Sequence, residues 1–220
     1  GIVYKRMPIF PNRHQAESYQ DMHMKYCTFL AEARLQLPES DTCIVEIPGR
    51  ATVLYIAQKK LPPERLGHTL IRHLDKPAGL EVFEKVISEL DKVWAFNRQH
   101  RSDLELAIDG QISNWVLPDE TKQPQPYYID TSTPLFRIDG AEQLDPEPLL
   151  TSTPGFLRWI IRLWFLDDVM NRYYVPRLVY TDLVANLYKE QRPDLVANVI
   201  ALINRSLPDS EAPLTVSEVD

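Results

Sequence analysis

The chain has 220 residues, 44% of them hydrophobic, with a formal net charge of −7 and a sequence pI near 5.3. That apolar content suffices for a core and excludes a disordered chain, while the acidic balance excludes a non-specific nucleic-acid binder, which needs a basic face against phosphates. Two cysteines, Cys27 and Cys43, exclude a disulfide framework and fit reduced thiols in a cytoplasmic protein.

The sequence opens on Gly1 instead of Met and enters a strand-like run at once, Ile2-Val-Tyr-Lys5, as though further sequence preceded it. Pro8 and Pro11 are expected to stop that strand in a turn. From Gln15 to Leu35 there is no Pro or Gly, and Tyr19, Met22, Tyr26, Phe29, Leu30 and Ala33 recur at helical steps, so a helix is predicted, closed by Pro38. Thr42–Ile47 and Ala51–Ala57 read as an antiparallel hairpin about Pro48-Gly49. Gln58-Lys-Lys-Leu-Pro-Pro63 is polar and stiffened by proline, a connector between two parts of the molecule.

Beyond it the pattern turns helical. Glu64–His73 predicts a short helix and Leu80–Gln99 a longer one, with Phe83, Val86, Ile87, Leu90, Val93 and Trp94 along one face. Short apolar runs follow at Leu104–Ile108, Trp115–Leu117 and Tyr127–Asp130, the last two separated by a proline-rich loop. Pro134–Pro154 carries few periodic signals and is expected to be irregular. Helices are predicted over Gly155–Met170, Arg177–Lys189 and Leu195–Arg205, with Pro193 in a first turn. The most apolar run, Phe156–Met170, is broken by charges at Arg158, Arg162, Asp167 and Asp168, so no stretch approaches the ~20 apolar residues of a membrane span. The acidic tail from Pro208 is expected to be disordered. The element order gives an α+β fold in two parts, residues 1–60 with the small sheet and 61–207 mainly helical, followed by the tail 208–220.

Three residues carry the chemistry: Asp109 in Asp109-Gly-Gln-Ile-Ser-Asn114, Asn114 itself, and Asp130 at the end of Tyr127-Tyr-Ile-Asp130. A carboxylate, an amide and a second carboxylate in this order are what phosphoryl transfer asks of its catalytic loop and metal-binding strand. Asp109-Gly110 also reads as a plain hairpin turn, and Asp130-Thr-Ser-Thr133 as a local cap. His100-Arg-Ser-Asp103 imitates a catalytic loop, but Ile108 stands where its metal-binding Asn should be.

The set resembles the catalytic loop and metal aspartate of the protein-kinase-like superfamily, closest to the aminoglycoside phosphotransferase and choline kinase branch and to an uncharacterised bacterial family of such proteins. The resemblance implies a two-lobed fold whose small-sheet lobe is truncated here. It further implies a phosphotransferase moving the ATP γ-phosphoryl group to a small-molecule hydroxyl, with Asp109 as catalytic base, Asn114 and Asp130 on Mg²⁺, and Lys5 on the nucleotide phosphates. Glu17 would hold Lys5, with Asp21 in reserve, and the connector around Gln58 and Lys60 would meet the adenine. The sequence departs from the family in three ways: it lacks the His before Asp109 that supports the loop, has Asp-Thr-Ser for Asp-Phe-Gly, and shows no glycine-rich loop ahead of Lys5. These departures keep open an inactive, pseudokinase-like nucleotide-binding or scaffold protein. A hydrolase using Asp109 and Asp130 is a third reading, in which Asn114 and Lys5 have no role.

Overall fold

A computed structural model describes residues 1–100, 103–118, 125–144, 170–207 and 211–219. The fold is α+β. Strands β1 (Ile2–Phe10), β2 (Ser40–Val45) and β3 (Thr52–Lys59) form an antiparallel sheet in the order β1-β3-β2. The β2–β3 turn contains Gly49 at φ 76°, a conformation that glycine adopts without steric cost.

β1 does not stop at Pro8. It runs on to Phe10, with a register shift between Arg6 and Ile9: Lys5 lies opposite Ile56, and Phe10 opposite Thr52. An unbroken strand would place Lys5 and Phe10 on opposite faces, because side chains alternate. One extra residue at Met7-Pro8 restores the parity, so Lys5, Met7 and Phe10 share the face that carries Thr52, Leu54 and Ile56. Proline is tolerated because β1 is an edge strand and needs no partner for the missing N–H.

Helix α1 (Arg13–Glu32) packs on that face through Ala16 and Tyr19, which join Phe10, Leu54 and Ile56 in one apolar cluster. Asn12 caps its start, its side chain accepting from Gln15 N at 2.9 Å. Its end is a Schellman turn in which Arg34, at φ 66°, donates to Ala31 O and Leu35 N donates to Leu30 O.

α2 (Gly67–His73) and α3 (Lys76–His100) follow a 3-10 turn at Pro63–Arg65. α3 is longer than the sequence pattern suggests because Asp75 caps it, accepting from Ala78 N at 3.0 Å. Its apolar face enters the main core with α4 (Pro176–Lys189) and α5 (Val196–Ser206). The predicted helix over Gly155–Met170 falls almost wholly outside the described residues.

Two further small sheets bear the loops of interest. β4 (Leu104–Leu106) pairs with β7 (Phe136–Ile138), which pairs with β8 (Ala141–Glu142), while β5 (Trp115–Val116) pairs with β6 (Tyr127–Tyr128). The β7–β8 hairpin lies where an irregular segment was expected. Its two turn residues, Asp139 and Gly140, sit at φ 50° and 75°, the signature of a tight type I′ hairpin.

The tail also differs from expectation. Leu214 is buried and exchanges two backbone hydrogen bonds with the Asn204 side chain, at 2.7 and 3.0 Å. Arg177 ties down the segment through Ala212 O and Glu218, and a capping box at Thr215–Glu218 completes it. Residues 211–219 are therefore docked on α4 and α5, since apolar Leu214 and Val219 outweigh the acidic composition. Among the described residues, no helix is long and apolar enough to cross a membrane.

Candidate functional site

The register of the β5–β6 hairpin brings Asn114 and Asp130 together. Trp115 lies opposite Tyr128, and the ladder extends by one bond, Ile129 N donating to Asn114 O at 2.9 Å. Asn114 closes a 3-10 turn, Ile112–Asn114, held against α2. Gly67 permits that approach: a Cβ there would stand 2.4 Å from the Ile112 carbonyl oxygen.

The open end of the β1–β3 face covers this pair. Val3, Lys5, Ile56 and Gln58 meet Asn114, Ile129, Asp130 and Ser132 around a cavity of about 340 Å³, within the size range of small-molecule sites. Lys5 Nζ lies 2.9 Å from Asp130 Oδ1, and it also hydrogen-bonds Ser132 Oγ, which in turn donates to Asp130 Oδ1 at 3.0 Å. Gln58 Nε2 donates to Ile129 O at 3.3 Å. From the other side, Tyr19 donates its hydroxyl to Ser132 O at 2.7 Å, and His23 Nε2 sits 3.2 Å from Thr131 Oγ1. Segment 129–132 is thus clamped between α1 and β3.

Asp109 does not line this cavity, but it is bound to its wall. Asn114 Nδ2 donates to Asp109 O at 3.2 Å, and Gln111 N donates to Asp109 Oδ1 at 3.0 Å. Burial raises the Asp109 pKa above the ordinary carboxylate value; the Gln111 and Asn114 hydrogen bonds oppose the shift, and the charges of Asp130 and Asp182 add to it. The hairpin-turn reading of Asp109-Gly110 does not hold, because β4 and β5 do not pair and neither residue has a positive φ. Glycine at 110 answers packing instead, since a Cβ would fall 2.7 Å from Val179 Cγ1 and 3.2 Å from Leu90 Cδ1.

The strand leading into Asp109 is anchored residue by residue. Asn97 of α3 donates to Leu106 O and accepts from Leu106 N, at 2.8 and 2.9 Å. Tyr26 of α1, fully buried, donates to Ala107 O at 2.7 Å, and Ile108 N donates to Tyr173 O at 3.1 Å. A tyrosine hydroxyl from α1 thus supports the backbone just ahead of Asp109, a task the resemblance gives to a missing histidine.

Other expected residues lie elsewhere. Glu17 is turned away from Lys5 and pairs with Arg13 at 2.7 Å, which also reaches Glu46 at 3.1 Å. That end of α1 lies beside the β2–β3 turn, whereas the residues of α1 that face the site are Tyr19 and His23. Asp21 is exposed. Lys60 is outside the cavity, its backbone N–H bonding Gly1 O at 3.0 Å. Of the arginines that could bind anions, Arg172 pairs with Asp182 at 2.6 Å and Arg177 holds the tail; Arg158 and Arg162 lie outside the described residues.

Tyr19, His23, Tyr26 and Ser132 carry no motif that marks them as site residues in the sequence. The tyrosines looked like members of an apolar stripe. A hydroxyl at a fully buried position was the available signal, since such a group needs a partner.

The residues fit a small hard cation: Asp130 and Asn114 both line the cavity, and the Asn114 amide nitrogen is engaged by Asp109 O, which leaves its oxygen available; Mg²⁺ commonly binds one or two carboxylates plus substrate phosphate and water. Among the described residues there is no cluster of three or more His, Cys, Asp or Glu that would hold a metal unaided. Residues 2–212 match the model of a family of unknown function, DUF6206. No curated protein and no solved structure matches the chain.

Proposed function

The chain belongs to the DUF6206 family of unknown function, and we propose that it is a phosphotransferase of kinase-like, two-lobed fold that moves the ATP γ-phosphoryl group to the hydroxyl of a small molecule. One observation carries this reading: Lys5 and Asp130, 125 residues apart in sequence, meet in one cavity with Asn114. A cation, a carboxylate and an amide oxygen in one cavity are the groups that triphosphate and metal require.

In the proposed reaction Lys5 holds the phosphates, with Val3 and Ile56 as the apolar wall for the base. Asp130 and Asn114 would hold Mg²⁺, which when bound neutralises phosphate charge. Asp109 accepts the proton of the acceptor hydroxyl as its oxygen bonds to the γ-phosphorus; the bond from that phosphorus to the bridging oxygen breaks, and ADP leaves with the electron pair. A raised carboxylate pKa brings Asp109 closer to the working range of a general base. Tyr26, Asn97 and Tyr173 fix its backbone, so the contribution is mainly positioning.

A nucleotide-binding protein without turnover is the second reading, favoured by the pairing of Lys5 with Asp130 in place of an acid on α1. Calorimetry with ATP, with and without Mg²⁺, and a turnover assay separate them, with Asp109→Ala and Asp130→Ala alongside. Turnover lost in both variants, with Mg²⁺-dependent binding lost only in Asp130→Ala, supports the enzyme. Binding without turnover supports the second reading, and absence of ATP binding rejects both. A two-carboxylate hydrolase gives Lys5 and Asn114 nothing to do.

A further inference from the structure

The Asp109–Asn114 turn, which lines the first cavity through Asn114, lines a second of about 370 Å³ through Gln111, together with Arg172, Tyr173, Asp182, Asn186 and Lys189. Three observations set it beside Asp109. Gln111, in its wall, donates its N–H to the Asp109 carboxylate. Tyr173, in its wall, accepts the Ile108 backbone hydrogen bond, and the Asp109 charge acts on the Tyr173 hydroxyl. The charge of Asp182 in turn acts on Asp109.

Apart from Ala185, each lining residue carries a polar or charged group at the end of its side chain. Asn186 donates to Asp182 O at 2.8 Å through its nitrogen, which leaves its amide oxygen without a partner among the described residues. Arg172 is paired with Asp182 at 2.6 Å. The side chain of Lys189, at the last turn of α4, makes no hydrogen bond or ion pair among the described residues. Among the lining residues Asp182 offsets Arg172, which leaves the Lys189 ammonium as the charge open to a ligand, while the Asp109 carboxylate lies just behind the lining. Such a lining suits hydroxyl groups and one anionic group, and is the wrong charge for a polyamine.

We propose that this cavity is the acceptor site, and that it takes a small polyhydroxylated anion, its carboxylate or phosphate on Lys189 and one hydroxyl toward Asp109. The proposal rests on the phosphotransferase reading for its chemistry: the acceptor hydroxyl loses its proton to Asp109 and gains the γ-phosphoryl group, and ADP is released. The binding step stands apart from that reading and can be measured without nucleotide.

Calorimetry on the full chain with gluconate, glucose 6-phosphate, glucose and kanamycin tests it. Gluconate or glucose 6-phosphate should bind better than glucose, kanamycin should not bind, and Lys189→Gln should weaken the anion about tenfold, as loss of one charge-assisted contact does. Lys189→Glu should weaken it further, and Lys5→Met should leave it in place. The two anions distinguish a carboxylate from a phosphate preference. The proposal is overturned if neither anion binds, if kanamycin binds in their stead, if both Lys189 variants keep wild-type affinity, or if Lys5→Met abolishes anion binding. ATP titrated into the same proteins separates the two ideas. Anion binding that depends on Lys189 without ATP binding keeps the cavity and rejects the transferase, whereas ATP turnover with no Lys189 dependence rejects only the cavity.

Discussion

Replacing Tyr26 by Phe deletes one oxygen atom, which supports the backbone ahead of Asp109 and also meets the Tyr128 side chain. The ring stays stacked on Phe136, 6.4 Å between centroids, but Ala107 O loses the donor that sits 2.7 Å away. Both residues are shut off from water, at 1% and 0% exposure, so no solvent molecule replaces the hydroxyl. A buried carbonyl left unsatisfied costs about 1–3 kcal/mol, and in a domain of this size each kcal/mol lowers Tm by about 2–4 °C. Urea and thermal denaturation of Tyr26→Phe beside Tyr4→Phe measures this. Tyr4 is 66% exposed, so its hydroxyl should matter by less than about 0.5 kcal/mol. Equal stability of the two variants would refute the argument that Tyr26 carries the loop through its hydroxyl.

Asp109→Asn should raise stability at neutral pH. Burial lifts the folded-state pKa, so the contribution of Asp109 is fully present below the ordinary carboxylate value and is lost as pH rises through the raised one. The amide keeps an acceptor for Gln111 N, and the variant should therefore melt above wild type at about pH 7 and level with it below about pH 4; a lower melting point at neutral pH would contradict this. His23 runs the other way. Burial lowers its pKa to about 4, so its stabilisation is present above about pH 6.5 and is lost as pH falls through the folded value. Melting curves across that window should show a steeper loss for wild type than for His23→Gln, and parallel slopes would sink the assignment. Gly67→Ala drives a methyl group to 2.4 Å from the Ile112 carbonyl oxygen, an overpacking of about 1–3 kcal/mol or more. Urea denaturation should show the loss, with Mg²⁺-dependent ATP affinity falling as the turn that carries Asn114 shifts.

Much of this arrangement was legible in local pattern. The β2–β3 hairpin follows from Pro48-Gly49, the α3 core face from its spacing, and the meeting of Asn114 with Asp130 from two short apolar runs that pair. What stayed hidden depends on neighbours distant in sequence. Pro8 reads as a stop, and only its edge position and the bulge make it part of β1. Asp139-Gly140 carries the true type I′ hairpin signal, yet the same dipeptide at 109–110 turns out to be a packing requirement, so the letters alone did not separate them. Glu17 lies near the start of the helix that follows Lys5, but that position does not fix rotation about the helix axis, and Arg13 and Glu46 draw that end of α1 elsewhere. Leu214 looked isolated in a polar tail because its cavity is built by α4 and α5.

The ion pair of Lys5 with Asp130 has an outcome for how ligands would enter. Each charge is the other's counter-ion, so a metal ion arriving at Asp130 must displace the ammonium, and a phosphate arriving at Lys5 must displace the carboxylate. Uptake is then an exchange in which either newcomer frees the seat of the other, and the coupling is reciprocal by thermodynamic necessity. With side chains 56% and 28% exposed, the pair is worth at most about 1 kcal/mol, which caps this cooperativity between cation and anion at roughly fivefold.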